Sequence, residues 1–291
     1  LASGDVESAE NDAAAHGDIP GDENGEVFAT DTRPTEGIVP PVVSAAAPPV
    51  KLWIRGIRYP KTTATQTEFL RFRDVIYKSS SVTTGIEPKK ARTTTGGSLV
   101  FKTKSPNVRL SFEFVAGQEN RGSVFAVRQN GGASQYFSVA ADALSYNLEL
   151  HSNFAAGTLV TYRVILPHYS NPILREIKPD LGHVLQEFTP PTRSPYIAIG
   201  DSISHGAGQK GTFETYPWLV SEGLNLELYS LAVGGSKISV KAAEGLADWT
   251  NIRAITILIG FNDWRTGKSI AQLKTDYGSL LNKIRSLHPN V

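Results

Sequence analysis

The sequence predicts a β-sandwich, jelly-roll-like in its strand spacing, followed by a three-layer α/β domain on a parallel sheet. Three observations carry this reading. Between residues 51 and 175, short segments with period-two alternation are separated by turn signals. After residue 196 the rhythm becomes strand, helix, strand, helix, strand, helix, which builds a parallel sheet covered on both faces. Each of the three apolar strands in that second part ends in a glycine-rich or polar turn.

The elements follow in order. Residues 1–50 are rich in Ala, Gly, Asp, Glu and Pro and close on IVPPVVSAAAPPV; they read as an acidic, disordered or extended leader with a proline-stiffened linker. GDENGE (21–26) lacks the ligand spacing and terminal glutamate of a calcium loop. The stretch 51–175 is expected to be all β: KLWIRGIRY, EFLRFRDVIY, SLVFKTK, VRLSFEFVA, SVFAVRQ, QYFSVAA, LSYNLELHS and LVTYRVILP are its strands. TTGG (94–97), KSPN (104–107), QNGG (129–132) and SNFAAG (152–157) are turns between them. Residues 176–195 form a proline-marked connector, and 196–291 the α/β domain. There, YIAIG (196–200), LELYSLAVGG (226–235) and AITILIG (254–260) are strands. A helix is expected over 214–224, with Thr215 as cap and Pro217 in its first turn. A second spans 238–249. A third spans 269–287, with apolar residues at 270, 273, 277, 280, 281 and 284.

Composition narrows the function. The 291 residues carry a net charge of +1, which argues against a nucleic-acid partner. Residues 1–50 hold ten acidic residues against Arg33 alone, so the rest is mildly basic. There is no cysteine, which excludes disulfides, thiolate metal sites and a cysteine nucleophile. No run is long and apolar enough to span a membrane. The absence of methionine suggests a processed or partial chain.

Right-handed crossovers put the C-terminal ends of parallel strands on one edge, where α/β sheets carry their sites. Three turns then converge: GDS (200–202), AVGGS (232–236) and IGFND (259–263). This set suits acyl transfer. Ser202 is placed to attack a carbonyl carbon. The N–H groups of Ser202 and Gly235 and the carboxamide of Asn262 are placed to receive the developing oxyanion. Asp201 is expected to support the turn, and Asp263 to orient the Asn262 loop. Trp264 and Arg265 follow at the site's edge, where Trp264 is placed either to stack on a sugar ring or to pack within its loop. No phosphate loop or metal cluster is present.

Gly200-Asp201-Ser202, Gly235 and Gly260-Phe261-Asn262-Asp263, each on a strand end and in this order, resemble three of the four blocks of the SGNH (GDSL-type) hydrolase family. The β-rich region ahead of them, with TYPW (215–218) after the serine turn, resembles the two-domain acetyl esterases of carbohydrate-esterase family two. The resemblance implies Ser202 as nucleophile, Gly235 and Asn262 in the oxyanion hole, acetylated oligo- or polysaccharides as substrates and no cofactor. A secreted or cell-surface location is expected, and no oligomeric state is implied.

The family's base is a late histidine, often in Asp-x-x-His. No such motif occurs here, and the chain closes on SLHPNV where the next strand is expected. The domain is therefore expected to be incomplete, with the base histidine on a segment not in this chain. His205 lies too near Ser202 in sequence to suit a base and is read as a substrate-side or supporting residue. His288 reads as a solvated residue of a helix end, and His151, His168 and His183 as loop residues. Two other functions fit the same sequence: a non-catalytic carbohydrate-binding or adhesion protein on a degenerate hydrolase fold, and a structural component of a viral or surface assembly.

Overall fold

The computed structural model describes residues 48–115 and 123–291. The acidic leader, nearly all of its linker and GDENGE lie outside the described residues. In chain order the strands are β1 (Leu52–Arg55), β2 (Tyr59–Thr62), β3 (Thr67–Leu70), β4 (Ser98–Thr103), β5 (Asn107–Phe114), β6 (Ser123–Gln129), β7 (Gln135–Val139), β8 (Ser145–His151), β9 (Val160–Ile165), β10 (Pro172–Pro179), β11 (Leu185–Gln186), β12 (Pro195–Gly200), β13 (Glu227–Ala232) and β14 (Ala254–Leu258). The helices are α1 (Asp74–Lys78), α2 (Ser81–Thr84), α3 (Pro88–Ala91), α4 (Ser202–His205), α5 (Tyr216–Gly223), α6 (Lys241–Glu244), α7 (Phe261–Arg265) and α8 (Ile270–Leu287).

Two antiparallel sheets, ordered β1-β4-β9-β6-β7 (with β11 on β4) and β2-β3-β10-β5-β8, share one apolar cluster. Alternation decides which residues enter it. Leu110 and Phe112 of β5 and Leu148 and Leu150 of β8 face Phe101, Phe125 and Tyr162 of the other sheet. Phe101 and Tyr162 stack with centroids 5.2 Å apart.

The third sheet is parallel, ordered β13-β12-β14. Its central strand is buried on both faces, which accounts for the unbroken apolar run of YIAIG. Tyr196 and Ala198 pack with Trp218 of α5 and with Ala126 and Ile165, which leave the outer face of the first antiparallel sheet. Ile197 and Ile199 face the other way, onto Ala242, Leu246, Leu280 and Ile284. Thr215 caps α5 by accepting from the Trp218 N–H, and Ser269 caps α8 by accepting from Gln272.

Two expectations are corrected. The stretch 51–175 is not all β: α1, α2 and α3 occupy residues 74–91. Phe72, Ile76, Ile86 and Ala91 are buried in the core of the parallel sheet rather than between the antiparallel ones. Glu87 caps α3 through the Lys89 N–H at 3.2 Å, and Pro88 fills its first turn. Over 238–249 the helix shrinks to α6, which stops at Gly245, a weak helix former, and a 3₁₀ turn, Gly245–Asp248; the Ile238 N–H ahead of them donates to Asp263 Oδ2 at 2.9 Å. Among the described residues no helix is long and apolar enough to cross a membrane.

Buried polar groups join the sheets. Arg55 donates to Glu227 Oε2 from Nε (2.9 Å) and Nη2 (2.8 Å), and the Gly56 N–H donates to Oε1 at 3.1 Å. Arg71, fully buried, donates to backbone carbonyls: Thr93 O (2.6 Å), Ser230 O (2.7 Å), Ala232 O (2.8 Å) and Lys90 O (3.2 Å). Burial lowers its pKa to about 10, so it remains a cation at neutral pH. Beside it lies His205, fully buried and stacked on Tyr169 at 4.1 Å. Its Nδ1 accepts the Gly234 N–H at 2.9 Å, which places the ring proton on Nε2. Nε2 faces Thr93 Oγ1 (2.8 Å) and the His168 carbonyl (2.9 Å). Burial and the Arg71 charge hold His205 well below the usual imidazole range.

Two predictions follow from these groups. Glu227→Ala leaves Arg55 charged and buried and is expected to cost about 3–5 kcal/mol in urea unfolding. Removing the exposed Glu113 partner of Arg175 is expected to cost no more than ~1 kcal/mol; equal losses would refute the contrast. For His205, the unfolded chain binds a proton near 6.5 and the folded chain does not. Stability therefore falls as pH drops below that value, by up to ~1.4 kcal/mol per pH unit. His205→Gln should flatten that acid limb by about the same slope, read from urea midpoints between roughly pH 6.5 and 5.

Candidate active site

The three turns end on one edge of the parallel sheet. At the level of Gly200, β12 pairs with Ala232 of β13 on one side and Leu258 of β14 on the other. Just past the ladder, the Val233 N–H donates to Gly200 O (3.0 Å) and the Asp201 N–H to Leu258 O (3.3 Å). The strand ends are therefore fastened together where the motifs begin. A Cβ on Gly200 would collide with Ser204 Oγ, so only glycine lets the chain turn so tightly into α4.

Ser202 is the first residue of α4 and is half-buried. Asp201, buried beneath it, accepts the Ile203 N–H at 3.1 Å and caps the helix. Burial raises the Asp201 carboxyl above its usual range, and Asp263 adds to the shift. As the first helical residue, Ser202 has an N–H with no intrahelical acceptor. Gly235 is exposed and adopts φ +82°, a left-handed turn that favours glycine. Among the described residues, neither the Ser202 N–H nor the Gly235 N–H has a protein acceptor.

Asn262 lies in the first turn of α7. Its Nδ2 donates one hydrogen to Ser236 O at 3.0 Å, which sets the carboxamide plane and leaves the second hydrogen unspent. Asp263 is fully buried: Oδ2 takes the Ile238 N–H and Oδ1 takes Lys268 Nζ at 2.5 Å. Lys268 also reaches Asp276 at 2.7 Å, and the two carboxylates raise its pKa. Adjacent residues of the FND turn thus each bond the loop that follows β13. Trp264 is 63% exposed and Phe261 49%, with ring centroids 6.0 Å apart. Arg265 is exposed beside them.

The structure brings Ser202, Gly235, Asn262, Asp201 and Asp263 to one sheet edge. His205 is the exception. Three hydrogen bonds turn its ring inward, so it supports the Gly234 turn from beneath and has no free nitrogen for a substrate. Among the described residues, no histidine hydrogen-bonds Ser202 Oγ. His168 is also buried rather than on an open loop, and burial lowers its pKa. His288 is half-buried, with Nε2 2.9 Å from Leu246 O. Sequence reading missed Arg71 and counted Lys90 only within the mildly basic body of the chain, not at this site. The Lys90 ammonium ends 3.9 Å from where a Cβ on Gly235 would sit. Neither residue belongs to a motif, and both come from a stretch read as β.

Comparison with known proteins follows this geometry. Residues 198–291 match the GDSL-like Lipase/Acylhydrolase family. Comparison with curated proteins gave no match. Among solved structures, the salicylyl-acyltransferase SsfX3 from a tetracycline biosynthetic pathway shares 20% identity. That alignment covers 82% of this chain and 68% of the other, with a TM-score of 0.67. A family two carbohydrate esterase from Cellvibrio japonicus shares 15%, over 83% and 74%, with a TM-score of 0.57. The acetyl xylan esterase Est2A from the rumen bacterium Butyrivibrio proteoclasticus shares 14%, over 83% and 76%, also with a TM-score of 0.57. At these identities the structural likeness is one of fold. The motifs on the three strand ends thus lie in a segment that matches the GDSL-like lipases and acylhydrolases, within a chain that shares its fold with family two carbohydrate esterases and SsfX3.

Proposed function

We propose that this protein is a serine esterase that removes O-acetyl or other short acyl groups from a carbohydrate. The observation that carries the reading is a set of unspent donors on the same sheet edge as one hydroxyl: the N–H groups of Ser202 and Gly235 and the second amide hydrogen of Asn262, on turns that follow neighbouring strands. Ser202 Oγ attacks the acyl carbon, and its proton passes to a base. The carbonyl oxygen becomes an oxyanion that these three donors receive. Collapse expels the sugar alcohol, which takes up the proton, and leaves an acyl-serine. Water then attacks that ester, releasing the carboxylic acid and restoring Ser202. We assign the base to a histidine outside the described residues.

Two features support the carbohydrate. Trp264 and Phe261 present an exposed aromatic pair beside Asn262, suited to the apolar face of a sugar ring. The fold is shared with a family two carbohydrate esterase and an acetyl xylan esterase. In this reading the antiparallel sheets are a jelly-roll-like β-sandwich (residues 51–175), which the connector (176–195) extends with the end of β10 and with β11, and residues 196–291 belong to a three-layer SGNH domain. The protein is secreted or displayed on the cell surface, where such polymers lie.

Two predictions test this. Acetate release from an aryl acetate and from acetylated xylo-oligosaccharides is expected from the wild type and absent in Ser202→Ala. Asn262→Ala should lower kcat by about 10²–10³-fold, the effect of deleting one oxyanion donor. Equal rates in wild type and Ser202→Ala would refute the nucleophile, and binding of the oligosaccharide without turnover would move the protein to the non-catalytic carbohydrate binders. Trp264→Ala should raise KM for the oligosaccharide several-fold, by about the ~1 kcal/mol of a lost stacking contact, while the aryl acetate KM moves less.

A further inference from the structure

We propose that Lys90 makes this site selective for esters that carry a carboxylate, an inference that rests on the esterase reading of Ser202. Lys90 belongs to α3, far from residues 198–291 in sequence, yet it lines the same cleft as Gly234 and Gly235. Its side chain passes Gly234, with Cδ 3.6 Å from where a Cβ there would sit. It ends with Nζ 3.9 Å from the equivalent point on Gly235. The ammonium therefore lies beside the turn whose N–H is assigned to the oxyanion.

Its position is fixed from behind. Arg71 Nη2 donates to Lys90 O, Arg71 Nε donates to Thr93 O, and Thr93 Oγ1 donates back to Lys90 O at 2.7 Å. The backbone that carries the ammonium is thus tied to the end of β13, the strand that leads into the Gly234–Gly235 turn.

The charge is also unspent. Among the described residues, no carboxylate lies within ion-pairing distance of Lys90 Nζ, although others in the cleft are paired. Lys268 is held by Asp263 and Asp276. Glu87, on the same cleft wall, accepts the Lys89 N–H and does not reach Lys90. Lys237, also on the wall, has no carboxylate within ion-pairing distance among the described residues either. The cleft, about 610 Å³, thus presents two free ammonium groups against one carboxylate. A concave, half-shielded wall concentrates that field on whatever enters. A substrate carboxylate answers it; a neutral acyl sugar leaves Lys90 with water alone. The carboxylate has two possible sources, the acyl group of a half-ester or a uronic-acid sugar.

The test uses matched pairs of esters. On the acyl side, 4-nitrophenyl hemisuccinate is compared with its neutral methyl succinate diester. On the alcohol side, an O-acetyl galacturonate is compared with the same acetate of galactose. The wild type is expected to favour the carboxylate member of one pair in kcat/KM, which identifies the source. Lys90→Gln should reduce that preference at least five-fold, mainly through KM, and Lys90→Arg should retain it. Added salt should erode the preference in the wild type and not in Lys90→Gln. An unchanged preference in Lys90→Gln, or none in the wild type, overturns the proposal. If the wild type turns over neither member, calorimetry with succinate and galacturonate decides. Binding at least five-fold weaker in Lys90→Gln keeps the anion site while the esterase reading falls; equal binding, or none, overturns both.

Discussion

The guanidinium of Arg71 is the constraint on which the site's architecture depends. It is a buried cation with no carboxylate partner among the described residues, and it survives because its N–H groups find carbonyl oxygens and one hydroxyl. Those acceptors are not neighbours in sequence. Two end the strand β13, and the others belong to the segment from Lys90 to Thr93. A single side chain therefore fixes where a strand of the parallel sheet stops and where a helical excursion from the β-rich region is pinned against it. Burial lowers its pKa only to about 10, so the lock does not open at physiological pH.

That lock propagates. Thr93, gripped through its carbonyl, faces Nε2 of His205, and His205 holds the Gly234 N–H through Nδ1. Protonating Nδ1 would destroy the acceptor that Gly234 needs, and the neighbouring guanidinium opposes that proton. The histidine is thus kept neutral by its burial first, and then by the cation whose carbonyl contacts organise its surroundings. A catalytic base needs the opposite, a ring free to gain and release a proton, so His205, three residues from the proposed nucleophile Ser202, does not suit that role.

Legibility in the sequence followed how far each feature depends on its neighbours. The three strand ends were readable because each strand is an apolar run, unbroken in the central one that is buried on both faces, and the glycine that closes that strand, Gly200, is dictated by local backbone geometry. Helix α5 was readable from its Thr215 cap and first-turn Pro217, and α8 from its apolar spacing. The helices between 74 and 91 were not. Each has four or five residues, too few to show a period, and they are helical because Ile76, Ile86 and Ala91 are buried in a core formed by residues more than a hundred positions later. EFLRFRDVIY alternates like a strand and is one only as far as Leu70. Lys90 and Arg71 were invisible for the same reason: their roles are conferred by tertiary contact and not by any local pattern.

The two later motifs behave as a single unit. The Asn262 carboxamide is planted on Ser236 O, and Asp263, the next residue, holds the Ile238 N–H. Two consecutive side chains of one turn thus grip the other turn at positions two residues apart, so the carboxamide and the Gly235 loop move together or not at all. Ser202 joins them from the middle strand, through the backbone bonds that link Gly200 and Asp201 to Val233 and Leu258. Donors held this way need no rearrangement when charge appears among them, and a preorganised environment is the largest single contribution to stabilising a developing oxyanion. In the proposed acyl transfer these bonds between the turns, rather than the Ser202 hydroxyl itself, would set this sheet edge apart: a serine at the same place on a looser edge would be only a helix's first residue.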